Sequence, residues 1–362
     1  MAFRPFSNPS ASLPVIPFPF RRSATYNTVM SLTDTARQMN ERLCQRLKPG
    51  EVFALGLAFG MMGIFVWQQA NLSFAYFDLK IYLETAHGNF SYQNFYYYYG
   101  YWILPIFALL SKLPLTLAYV VWCAVNILGI FFAVRVFNGK ALIAIASYQM
   151  FYTIIYGSIT GLIVGGLALC WWGLANRKWH LAGLGIAIAS AKFQTGLTGS
   201  LILLLMAELS WKDRLRVMVM PILIWTASLI AYPGWPLQLL NNIINHPPND
   251  LGSISLWRWA GPWSLLFWLP PFLLRLKPQR RFLALVAAMG LALPYFQQND
   301  LLFLLVMPIG WIGLLGNLGY FMGSYGWVAL QFLVFIPLLI YIVQLSPGVK
   351  ELFTSNSNHE QN

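Results

Sequence analysis

The sequence predicts an all-α, polytopic membrane protein, and three observations carry that prediction. Hydrophobic residues make up 58% of the 362 and charged residues only 9%, with a mean hydropathy of +0.60. Apolar runs of about 20 residues, enough to cross about 30 Å of hydrocarbon as helix, recur along nearly the whole length. The net charge of +12 is gathered in short turns between those runs, as the positive-inside rule requires, so it reports topology and not affinity for nucleic acid. Cys44 lies in a tail and Cys123 and Cys170 in spans, which leaves no disulfide framework or metal cluster.

Residues 1–29 are rich in Pro, Ser and Arg, and the three prolines of LPVIPFPF argue against a signal-peptide core. A disordered cytoplasmic tail is expected there, with Met30 as an alternative start. Within 31–48, Leu32, Ala36, Met39, Leu43 and Leu47 recur at helical spacing opposite Arg37, Arg42, Arg46 and Lys48. That pattern reads either as a basic amphipathic helix on the inner leaflet or as a solvated helix leading into the first span. The chain thus divides into a basic tail with this helix (1–49), a transmembrane domain (50–346) and a short disordered tail (347–362).

The first span is 51–70. The stretch from Phe74 to Pro114 follows it and organises the rest: it carries Asp78 just beyond the membrane edge and sets six tyrosines and a tryptophan between Tyr92 and Trp102. Ile103–Leu113 is apolar but short and bounded by Pro105 and Pro114, which predicts a half-inserted helix. The later spans are 117–137, 140–157, 159–176, 180–191, 195–210, 217–232, 262–274, 282–296, 300–316 and 325–345. Eleven crossings with the N-terminus inside place 18 of the 23 Lys and Arg residues on the inner side. A full crossing at 103–113 would invert most of that bias, so the half-inserted reading is preferred.

The chemistry available between spans on the outer side is then short: Asp78, Glu84, Asp250 and Asp300, with His87, His246, Lys80, Lys112, Lys192 and Arg258. The second outer loop, Pro233–Pro262, is long enough to fold over a site shared with the first. Lys192 interrupts an apolar run of nearly thirty residues. A charge in hydrocarbon costs at least about 2.5 kcal/mol, so Lys192 either faces an anionic ligand or snorkels to headgroups. The small residues beside it, Gly183, Gly185, Ala187, Ala189 and Ala191, serve close helix packing. Asp78 reads equally as a helix cap at a membrane exit, Arg258 as a headgroup anchor, Asp250 as a turn residue and Asp300 as a cap. His87 and His246 lack metal-ligand spacing.

An Asp soon after the first span, a Tyr-rich segment leading to Pro, basic residues before AGLGIAIASAKFQ, and a late outer Asp in QQNDLLFLLVMP together resemble the bacterial glycosyltransferase family 87 over roughly residues 50–320. The resemblance implies a GT-C fold and a polyprenyl-phosphate sugar as donor. It places Asp78 at the position of the catalytic base and Tyr82 at a following aromatic. Lys192 and Gln194 of AKFQ match a Lys-Pro-Gln pattern, and Asp300 a late acidic position. Where the family has Gly-Gln after Tyr156 with an Asn nearby, this chain has Gly157, Ser158 and Gly161, so two polar contacts are missing.

Transfer from a lipid-phosphate sugar needs a base for the acceptor hydroxyl and cations for the departing phosphate, and no cofactor. Asp78 supplies the first, and Lys192 with Arg258 the second. Tyr98, with Tyr96, Trp257 and Trp259, offers rings for the sugar or the lipid, although such rings also serve as interfacial anchors. His246 joins Tyr82, Tyr98, Gln194 and Asp300 among the substrate-binding candidates. The expectation is a multi-pass plasma (inner) membrane hexosyltransferase, mannose-like by resemblance, acting on a lipid or glycan acceptor. A transporter or flippase, or a non-catalytic subunit descended from the enzyme, is the alternative.

Overall fold

Lipid forces every backbone polar group into internal hydrogen bonds, and the computed structural model meets that demand with helices. No strand occurs among the described residues, 32–68, 76–87, 97–247 and 252–357, apart from one isolated bridge between Ser253 and Gln297. The N-terminal tail, Tyr96 and Asp250 lie outside them.

Helix α1 (Leu32–Cys44) precedes α2 (Pro49–Gln68), and α3 is the short helix Phe77–His87. Then come α4 (Leu104–Leu110), α5 (Leu115–Phe137), α6 (Ala141–Ile145), α7 (Tyr148–Tyr156), α8 (Thr160–Ala175) and α9 (Trp179–Ala189). A π-helical turn, Phe193–Leu197, leads into α10 (Thr198–Met206). The long α11 (Trp211–Ala231) is followed by α12 (Trp235–Asn245), α13 (Trp257–Ala260), α14 (Pro270–Leu273), α15 (Pro278–Ala292) and α16 (Leu302–Leu305). The chain closes with α17 (Leu318–Met322), α18 (Trp327–Leu330) and α19 (Phe335–Ser357), so the last helix runs past the expected span end at 345.

Among the described residues, four segments are long and apolar enough to cross a membrane: Pro49–Gln68, Leu115–Phe137, Trp211–Ala231 and Val328–Gly348. A fifth forms if α7 and α8, bent 116° to one another, count as one broken span. The other expected crossings fall on shorter helices. The segment expected to be half-inserted falls on a ten-residue apolar helix, Tyr101–Leu110, with Pro105 in the first turn of its α-helical part, α4.

Helices α2 and α11 expose Val52, Phe53, Ile64 and Trp67, and Leu215, Val219, Leu223 and Ile230, the surface expected where lipid is the solvent. The centre of the bundle is the row α5, α8, α9 and α11, held close by small residues as expected. A Cβ on Gly185 would lie 2.4 Å from the Cys170 nitrogen of α8, and one on Gly183 would lie 2.3 Å from the Val217 oxygen of α11.

Helix α1 finds a protein partner. Its apolar residues Ala36 and Met39 are buried where it packs on α5 and α8. The buried Arg135 guanidinium donates to the carbonyls of Arg42 and Gln45 at 2.5 and 2.8 Å and pairs with Glu51 at 2.6 Å. A cation thereby caps the negative end of α1 and ties it to α2 and α5.

Candidate active site

Asp78 stands in the first turn of α3, and the break between α7 and α8 holds it there. Tyr76 just before the helix donates its backbone N–H to Ile155 at 2.9 Å. Gly157 ends α7 at φ +66°, and a Cβ on it would fall 2.8 Å from the Leu79 Cβ. Only glycine tolerates both the left-handed conformation and that approach. The break brings Ser158 within hydrogen-bonding reach of the Asp78 carboxylate.

Asp78 is enclosed by protein yet keeps some accessible surface, as do Tyr99, Tyr152, Tyr156 and Tyr295. These groups are half-buried together. Tyr99, Tyr152 and Tyr156 all lie in the field of Asp78. Desolvation pushes the Asp78 carboxyl up to about 7, against the pull of the Lys192 charge and the Ser158 hydrogen bond. A carboxyl titrating there serves well as a general base near neutral pH.

Lys192 precedes the π turn, a helix irregularity that re-aims side chains and often marks functional sites. A Cβ on Gly196 would sit 1.7 Å from the Ala189 oxygen, so the turn is closed too tightly for any other residue. Lys192 is 3% exposed, and its ammonium lies 2.7 Å from Asp300 Oδ1. It does not snorkel. Thr195 Oγ1 lies 3.4 Å from the same oxygen. Asp300 Oδ2 accepts from the Gln297 N–H at 2.9 Å, closing a capping box with the Gln297 side chain. Asp300 is therefore a cap, as the sequence allowed, and also the ion-pair partner of Lys192, which the sequence did not indicate.

The two loops expected on the outer side converge on this cluster. Gly100 N–H donates to the Ala191 carbonyl at 2.8 Å, and Trp102 Nε1 to Ala187 at 2.7 Å, tying the Tyr-rich segment to the Lys192 turn. Tyr98 donates to the His246 carbonyl at 2.7 Å, and the Tyr101 and Trp235 rings are nearly parallel at 6.1 Å. Ile254 N–H donates to Phe296 at 2.7 Å, backing the Asp300 cap. The second loop thus folds against the first, as its length suggested.

The structure does not gather all the candidates. Lys192 and Asp300 pair directly, and Asp78 lies in the field of Lys192. Tyr82 is buried, edge-on to Tyr99 at 5.3 Å and to Trp122 at 6.4 Å. Tyr98 turns towards His246, while its neighbour Tyr99 faces Asp78. Gln194 is half-buried in the π turn. His246 and Arg258 are exposed, at the end of α12 and on α13, and are not buried with the cluster.

Four residues were not singled out: Tyr99, Thr160, Thr195 and Asn299. Ser158 was noted only for what it replaces. Asn299 donates through Nδ2 to Ser158 Oγ at 3.0 Å and Thr160 Oγ1 at 2.9 Å. The signal for it was weak: an amide beside an acid at a span entrance, which reads equally as a cap. No curated protein and no solved structure matches the chain. Residues 97–315, more than half of it, match the family described as glycosyltransferase family 87; Asp78 lies just ahead of the matched region.

Proposed function

The chain belongs to glycosyltransferase family 87 and is a membrane glycosyltransferase, and on that premise we propose that it moves a hexose, mannose-like, from a polyprenyl-phosphate donor to a lipid or glycan acceptor on the extracytoplasmic side of the plasma membrane. Asp78 is the base. The acceptor hydroxyl gives its proton to the Asp78 carboxylate as its oxygen attacks the anomeric carbon. The bond from that carbon to the phosphate oxygen breaks, polyprenyl phosphate leaves with the electron pair, and the anomeric centre inverts. The catalytic domain is of the GT-C type, with eleven crossings, a half-inserted helix at 103–113 and the N-terminus in the cytoplasm.

The observation that carries this reading is the enclosed Asp78 carboxyl, poised near neutrality with Tyr99, Tyr152 and Tyr156 around it. Tyrosines suit a sugar, because each offers a ring face for C–H groups and a hydroxyl for hydrogen bonds. Lys192 favours phosphate leaving nearby, with Asp300 holding it between turnovers. Arg258, exposed on α13, carries a planar guanidinium suited to a donor phosphate arriving from the membrane surface. Tyr82, Tyr98, Gln194 and His246 complete the substrate-binding set.

The experiment is transfer of radiolabelled hexose from a panel of polyprenyl-phosphate hexoses by the purified protein, with total membrane lipid as acceptor. Asp78→Asn should lower transfer by about 10²- to 10⁴-fold. The wild-type rate should rise with pH through about 7, since the base works deprotonated. Full transfer by Asp78→Asn would remove the base; no transfer from any donor by folded protein would favour transport.

A further inference from the structure

Asn299 is 2% exposed, and its side chain spans a gap that the sequence left open. Its Nδ2 donates to both Ser158 Oγ and Thr160 Oγ1, and those two hydroxyl oxygens lie 3.2 Å apart. A hydroxyl has one proton to give. Ser158 lies within hydrogen-bonding reach of the Asp78 carboxylate; with its one proton turned there, Ser158 Oγ accepts from Asn299. This fixes the Asn299 amide with nitrogen towards the hydroxyls. The flipped amide would present an acceptor and draw the Ser158 proton away from Asp78. Asn299 Oδ1, buried opposite, has no hydrogen-bond partner. Buried acceptors are seldom left so without a role for the arrangement.

We propose that Asn299 is a positioning residue for Asp78: through the Ser158 hydroxyl it holds one carboxylate oxygen in place, leaving the other turned to the acceptor hydroxyl. The inference rests on Asp78 being the base. Thr160 steadies the arrangement as the second acceptor for the amide. Among the described residues, the other charged or titratable groups in the field of Asp78 are Tyr82 on its own helix, Tyr99 from the segment that follows that helix, Tyr152 and Tyr156 from α7, and Lys192 beside the π turn. None of them changes in the test below.

The test needs no substrate. The full chain in nanodiscs is titrated by infrared spectroscopy, following the carboxylic C=O band that disappears in Asp78→Asn. Asn299→Ala should raise the midpoint of that band by about one pH unit, since a hydrogen bond to the charged form is lost. Ser158→Ala should raise it at least as far, and Ser158→Thr should restore it. The double variant should move it no further than Ser158→Ala alone, because Asn299 acts through that hydroxyl.

An Asn299→Ala midpoint equal to wild type, or a double variant that sums both shifts, overturns the proposal. Asn299→Leu, which keeps the branched side-chain skeleton, serves if Asn299→Ala does not yield monodisperse protein. If both fail, an unshifted midpoint in Ser158→Ala overturns it equally. Full sugar transfer by Asp78→Asn would sink the base assignment, a result distinct from any of these.

Discussion

Asp78 and the Lys192–Asp300 pair illustrate how a buried charge is kept at a stability cost. In the unfolded chain the Asp78 carboxyl titrates near 3.8, and in the fold near 7. Between those values the folded state holds a proton that the unfolded state has released. Stability therefore falls as pH rises from about 4 to about 7 and then levels off, by at most about 4 kcal/mol and by less where Asp78 keeps contact with water. Thermal unfolding followed from pH 4 to 8 should show this slope in wild type and lose it in Asp78→Asn, which should be the more stable protein above pH 7. For the pair, Lys192→Met leaves Asp300 buried without its cation and should cost about 3–5 kcal/mol. Lys192→Met combined with Asp300→Leu should recover much of that loss in an unfolding assay while transfer stays abolished. Failure of the double change to recover would show that the Asp300 cap on Gln297, and not the ion pair, dominates.

Among the elements, the break between α7 and α8 decides where the chemistry sits. Two helices meeting at 116° could not leave Ser158 beside α3 if the chain ran straight through Gly157. Gly157→Ala must adopt φ +66° with a Cβ and push Leu79 away. It should cost about 1–3 kcal/mol. Because Leu79 adjoins Asp78, it should also depress turnover more than binding of the donor. A Gly157→Ala enzyme with wild-type turnover would show that α3 is not seated on this break. The boundary at 157–159 was legible, since Gly and small polar residues interrupt two apolar runs. The 116° angle was not, because it depends on Leu79 and Trp122 packing at the break, where Trp122 Nε1 donates to the Gly157 carbonyl at 2.8 Å. Helix α1 repeats the lesson. Its amphipathic pattern showed that one face needs cover, but lipid and protein cover such a face equally, and only Ala36, Met39 and Arg135 show that protein does so.

For the whole molecule, topology is the proposal most open to direct measurement. Helix α11 is apolar and long enough to cross, so its two ends belong on opposite sides. With the other cysteines replaced, Ser210→Cys should react with a membrane-impermeant maleimide only after permeabilisation. His246→Cys, beyond α11, should react in intact cells. The reverse pattern would invert the orientation and place the Asp78 site in the cytoplasm.

Class and charge placement follow from the sequence alone, because burial in lipid is a property of composition and of local run length. Asp78, Lys192 and Asp300 stood out for a similar reason: an ionisable residue amid apolar neighbours is conspicuous in one dimension. Their meeting was not readable, nor was the part of Asn299, for Ser158 and Asn299 are 141 positions apart and a hydroxyl or amide shows no sign of its partner until the chain folds. The same limit hid Tyr99 behind Tyr98. In a short extended stretch neighbouring side chains point apart, and only the seating of that stretch on Ala191 and α12 chose which ring faces the carboxylate.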